Sequence, residues 1–191
     1  MNGEDTSDSL TLRVGELSRR ELLSALGAFG VRLNAAAREL LEGAAFDHQE
    51  KVAFRVVRRT VAQLGFANGA VMSSIVARAH DVGLSLCPAI TGPYLRLALA
   101  NQESAPDAVM SNGSAPSGSI TVAAVAPEGG EEMPRGFYVR AVNGVLWLRG
   151  YHASDEHVWS PDDHFAFRLE GPSPELGASA DVDRANVPSG A

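Results

Sequence analysis

The residues best placed to do chemistry in this 191-residue chain stand around one Asn-Gly dipeptide. Residues 137–142 and 145–150 are alternating apolar runs. Asn143-Gly144 between them supplies the two positive-φ positions that a type I′ hairpin turn needs. Such a turn pairs Val142 with Val145, Arg140 with Trp147 and Tyr138 with Arg149, and directly opposed residues share a face. Phe137, Val139, Ala141, Leu146 and Leu148 then form the core side. Tyr138, Arg140, Trp147 and Arg149 form the other side, with an arginine across from each ring. Guanidinium groups beside aromatic faces suit cation–π contact and can stack a base or clamp an anion. The same four side chains also suit a plainer role, in which long arginine stems pack over rings and shield a sheet surface. Tyr94 and Arg96 repeat the theme on the neighbouring segment. The acidic residues Glu128, Glu131, Glu132, Asp155 and Glu156 flank the hairpin and weigh against a polyphosphate. The expected partner is thus a protein, or an anionic or aromatic ligand, and not a nucleic acid.

Three other constellations carry possible chemistry. The loop 152–164 holds His152, His157 and His164, three of the five histidines, with Asp155, Glu156, Asp162 and Asp163. Metals favour such ligands, although the spacing matches no established site. The alternatives are a polar inter-strand loop or a small metal-dependent or hydrolytic enzyme. Cys87 with His80 invites a Cys–His nucleophile, but its neighbours Leu86 and Pro88 mark a small buried apolar residue. Lys51, Arg55, Arg58 and Arg59 are a basic cluster whose meaning depends on local structure. On a helix they make a phosphate-facing stripe and a DNA-binding accessory role. On a strand, Arg55 and Arg59 flank Val57 while Arg58 points away. No cofactor is expected.

Lys51 is the single lysine beside fifteen arginines. It follows Glu50 and precedes Val52, so no Gly-Lys-Ser/Thr phosphate loop exists, and P-loop and kinase-type lysine chemistry are excluded. One cysteine excludes an internal disulfide. The net charge of −7 is graded, with eleven basic against seven acidic residues over 10–100 and four against nine over 101–169. The start of the chain is acidic and lacks an apolar segment behind a basic one. No run of 18 apolar residues occurs, so the expectation is a cytoplasmic protein with no membrane span.

The elements that must position these residues are legible in part. Residues 10–14 alternate as a strand. Ser18-Arg19-Arg20-Glu21 is a capping box for a helix reaching about Phe29, with Leu22, Leu23 and Leu26 inward and Gly30 ending it. Asn34 caps a second helix over 35–42, closed by Gly43. Residues 52–59 read as a strand, with a continuous helix over 50–64 as the alternative. Thr60-Val61-Ala62-Gln63 looks like a further capping box. A helix over 71–82 buries Ile75, Ala79 and Val82 and stops at Gly83. Residues 94–99, 119–125 and 165–169 read as strands. Residues 1–9, 101–118 and 170–191 are polar and rich in small residues, and read as disordered ends and a flexible insert.

Several motifs also carry a resemblance: Leu64-Gly65-Phe66, Gly83-Leu84-Ser85-Leu86-Cys87-Pro88, Gly92-Pro93-Tyr94-Leu95-Arg96-Leu97, Gly118-Ser119-Ile120-Thr121-Val122, Pro134-Arg135-Gly136-Phe137-Tyr138, Leu146-Trp147-Leu148-Arg149-Gly150-Tyr151 and Glu156-His157-Val158-Trp159. With them the chain resembles an uncharacterised bacterial protein family, over nearly all of residues 10–169. Some members carry the label "helicase". No helicase motif is present here, and about 160 ordered residues are too few for a two-lobed motor, so that label is not carried over. The resemblance implies no activity and no site residue. The sequence therefore points to an α+β domain over 10–169, mostly helical over 10–92 and β over 93–169. Short helices pack on a mostly antiparallel sheet of about five to seven strands. The function expected of it is a non-enzymatic binding module.

Overall fold

The computed structural model describes residues 9–47, 50–105, 115–127 and 132–171, and the expectations for both chain ends and for residues 106–114 lie outside these. In chain order the elements are β1 (Ser9–Val14), α1 (Arg19–Ala28), β2 (Arg32–Leu33), α2 (Ala35–Glu42), β3 (Val52–Thr60), β4 (Ala70–Val71) and α3 (Met72–Asp81). Then follow β5 (Leu84–Ser85), α4 (Thr91–Ala98), β6 (Ile120–Val122), β7 (Gly136–Val142), β8 (Val145–Tyr151), β9 (Val158–Trp159) and β10 (His164–Leu169).

Local signals set most of these boundaries. Ser18 and Glu21 exchange the capping-box bonds, Ser18 N–H donating to Glu21 Oε2 at 2.8 Å and Glu21 N–H to Ser18 Oγ at 3.4 Å. Asn34 Oδ1 accepts from Ala37 N–H at 2.9 Å and opens α2. Thr60 and Gln63 exchange the same kind of bonds, at 2.8 and 3.0 Å, and turn the chain out of β3. Asn143 and Gly144 adopt φ 49° and 76°, and the β7–β8 register is the one expected from a two-residue turn.

The fold is α+β. Seven strands run in the order β1-β3-β10-β6-β7-β8-β2, with β5 pairing beside β6 on β10; β4 and β9 form a separate pair. The named strands of the described residues pair antiparallel except for β10–β6 and β2–β8, which are parallel. Alternation divides the sheet between two apolar layers. Leu12, Phe54, Val56, Val139, Leu148 and Ala166 pack with Leu22, Leu26, Leu40, Leu41 and Leu95 of α1, α2 and α4. On the opposite face Val57, Phe165 and Phe167 pack with Ile75 and Ala79 of α3 and with Trp159. No helix among the described residues is long and apolar enough to cross a membrane.

The structure corrects some expectations. Residues 94–99 do not form a strand, because Thr91–Ala98 is helix α4, in which Tyr94, Leu95 and Arg96 are all buried. A segment buried all round loses the helical polar stripe, so Leu95, Leu97 and Leu99 mimicked a strand face. Pro93 sits in the first turn, where its missing N–H costs nothing. Leu23 is 42% exposed and Val82 45%, because Leu22/Leu26 and Ile75/Ala79 already occupy the inward i, i+4 positions. β1 and β3 lie in the mostly helical first part as expected, whereas the β part opens with helix α4 instead of a strand.

Candidate functional site

The second face of the hairpin is where the fold concentrates unusual chemistry. The expected pairings hold: Tyr138 lies opposite Arg149 and Arg140 opposite Trp147. The four side chains nevertheless face different surroundings. Arg140 is 2% exposed and donates from Nε to Ser117 O at 3.1 Å. Tyr138 is 8% exposed, with Thr121 of β6 beside it in the sheet. Residues 115–119 lie over this end of the face, so it is not one open patch. Trp147 and Arg149 remain half-exposed.

The cation–π contacts run along β8 and across to β2. The Arg149 guanidinium carbon stands 4.2 Å from the Trp147 ring centroid, and that of Arg32 stands 6.0 Å from it. Arg32 pairs with Trp147 in the parallel β2–β8 register. Trp147 thus meets Arg149 of its own strand and Arg32 of β2.

Beside this stack lies a cavity of about 370 Å³, bordered by Asn34, Tyr138, Arg149, Tyr151, His157 and Trp159 among others. Its aromatic wall is tightly built. Trp159 meets Tyr151 edge-on at 5.5 Å, His157 at 4.8 Å and Phe165 at 4.9 Å. Burial pushes the Tyr151 hydroxyl up to about 12, against the opposing pull of Arg135, so it remains a neutral donor and acceptor. Asn34 ties the cavity's edge to β8, with Nδ2 donating to Gly150 O and Gly150 N–H donating to Oδ1, both at 2.9 Å. Gly150 permits this approach, since a Cβ there would stand 2.6 Å from the Ala36 carbonyl carbon.

The loop 152–164 does not converge on one point. His157 rests on Trp159, His164 is in β10 and His152 is exposed. Burial and then Arg58 lower the His164 pKa. Asp163 is buried and spent on the backbone, Oδ1 accepting from Ala115 N–H at 2.9 Å and Oδ2 from Ser160 N–H at 2.8 Å. Burial raises its pKa more than these bonds lower it. Asp155 pairs with Arg135 at 3.0 Å. Among the described residues no group of three His, Cys, Asp or Glu is placed to hold a metal ion.

The remaining candidates resolve simply. Cys87 is 3% exposed, its thiol donates to Ala166 O at 3.6 Å, and burial pushes its pKa up to about 12, which leaves no thiolate for nucleophilic work. The basic cluster lies on and just before a strand, so the helical stripe does not form, and Arg58 is exposed while Arg55 and Arg59 are half-buried. Arg96, fully buried, fastens the end of α4 to β7 by donating to Gln102 Oε1 at 2.6 Å, Arg140 O at 3.2 Å and Leu99 O.

Sequence reasoning missed Tyr151, His157, Trp159 and Asn34 as neighbours of this face. Tyr151 was available, because it continues the 147, 149 alternation. Asn34 lies 116 residues from Gly150, and no local pattern connects them. No protein-family model, curated protein or solved structure matches the chain.

Proposed function

We propose that the protein is a non-enzymatic binding module that takes an anionic or aromatic group at the Trp147–Arg149 stack and the aromatic cavity beside it. The observation that supports this most is the meeting of two independent features at Arg149. It makes the shorter of the two cation–π contacts on Trp147, at 4.2 Å, and also borders the cavity walled by Tyr138, Tyr151 and Trp159. Sites for small ligands are commonly aromatic-lined hollows with a few fixed polar groups. An enzymatic role for the 152–164 loop is less favoured, since Asp163, its most buried carboxylate, is occupied by two backbone amides. The module is read as bacterial and cytoplasmic, a setting in which Cys87 stays reduced.

The test uses the aromatic anion 8-anilinonaphthalene-1-sulfonate, whose emission rises in apolar surroundings. Saturable binding should weaken about tenfold in Arg149→Ala and in Trp147→Ala, the scale of a lost charge-assisted or cation–π contact. Both variants should keep the parent's circular dichroism and unfolding midpoint to within a few degrees. Equal binding by folded variants and parent would overturn the reading.

A further inference from the structure

Resting on that reading, we infer that the cavity beside the hairpin is a site for a small aromatic carboxylate, with Arg149 holding the acid group and Tyr151, His157 and Trp159 facing the ring. The charge of the lining points this way. Arg149 is the one formal cation among the described residues that line it, and none of these is an aspartate or glutamate. The start of α2 borders the same space through Asn34 and Ala36, adding the partial positive charge of a helix N-terminus.

Arg149 itself is poised for an in-plane partner. Its guanidinium is stacked on Trp147, which leaves the edge of the fork for hydrogen bonding. A carboxylate can accept from the two terminal nitrogens of that fork together, the bidentate geometry that arginine offers an acid group. One guanidinium balances one negative charge, so a monoanion fits better than a phosphate dianion. The rest of the ligand must be flat and apolar. Tyr151 and His157 stand edge-on to Trp159 and leave ring faces and edges for a further aromatic group. A volume of about 370 Å³ accommodates one or two fused rings with their acid group.

The chain's two tryptophans supply a readout, since Trp159 borders the cavity and Trp147 stacks on Arg149. Nitrogen-15-labelled full-length protein is titrated with sodium 2-naphthoate, 2-naphthamide and inorganic phosphate while the two indole N–H resonances are followed. A Trp147→Phe sample assigns them. The expected result is a saturable shift of the Trp159 resonance by 2-naphthoate, at least about tenfold weaker binding of 2-naphthamide, and no saturation by phosphate. Arg149→Gln should reduce naphthoate binding to the naphthamide level, and Arg149→Lys, which keeps the charge but loses the fork, should recover only part of the difference. Equal affinity for naphthoate and naphthamide overturns the acid-group assignment while leaving the binding module standing. Tighter saturation by phosphate overturns the monoanion. Indole resonances that no probe moves overturn both readings.

Discussion

Removing the Asn34 side chain tests whether α2 and the hairpin are held as one unit. Asn34 Oδ1 accepts from Ala37 N–H and from Gly150 N–H, while Nδ2 donates to Gly150 O, each at 2.9 Å. The first bond is an N-cap worth about 1 kcal/mol. The other two join residues 116 positions apart, and each contributes about 1 kcal/mol in half-buried surroundings. Asn34→Ala should therefore cost about 3 kcal/mol. Asn34→Ser keeps a capping oxygen but is too short to reach β8, so it should cost about 2 kcal/mol. The difference between the variants isolates the cap. Equilibrium urea unfolding followed by tryptophan fluorescence measures both. With a slope of about 2 kcal/mol per molar urea, the midpoints should fall by about 1.5 M and 1 M. A loss in Asn34→Ser as large as in Asn34→Ala would deny the cap. A cost below about 1 kcal/mol in both would refute the coupling of α2 to β8.

Two further predictions concern packing and pH. Gly92 in α4 meets Phe137 so closely that an added Cβ would stand 2.5 Å from that side chain's Cβ and Cγ. Gly92→Ala should destabilise by about 1–2 kcal/mol despite alanine's better helix propensity, and an unchanged or raised urea midpoint would contradict this packing. Cys87 and Tyr151 have ordinary values of 9.0 and 10.0, and burial pushes both up to about 12. Folding thus favours their neutral forms, so the stability they contribute is complete below pH 9 and is lost as the pH rises toward about 12. Thermal midpoints should decline above pH 9, and less steeply in Cys87→Ala. Thiolate absorbance appearing near pH 9 in the folded protein would refute the assignment for Cys87.

What the sequence determined by itself are the features governed by neighbours within a few positions. The Asn143-Gly144 turn set the entire β7–β8 register, since only its positive-φ geometry fits a two-residue connection. The capping residues Ser18 and Asn34 marked where helices begin, because the amides they satisfy lie three positions away. The lone Lys51 excluded a chemistry that depends on a fixed local motif. Tertiary structure decided the rest. It made 91–98 a helix, because burial on every side erased the periodicity that separates helix from strand. It also divided the four hairpin residues, covering Arg140 and Tyr138 while leaving Trp147 and Arg149 at the rim. The cavity joins Asn34, Tyr138 and Trp159, residues brought together only by the crossing of α2, the hairpin and the 152–164 loop. Alternation assigns a side chain to a face, but what packs against that face depends on segments distant in the chain.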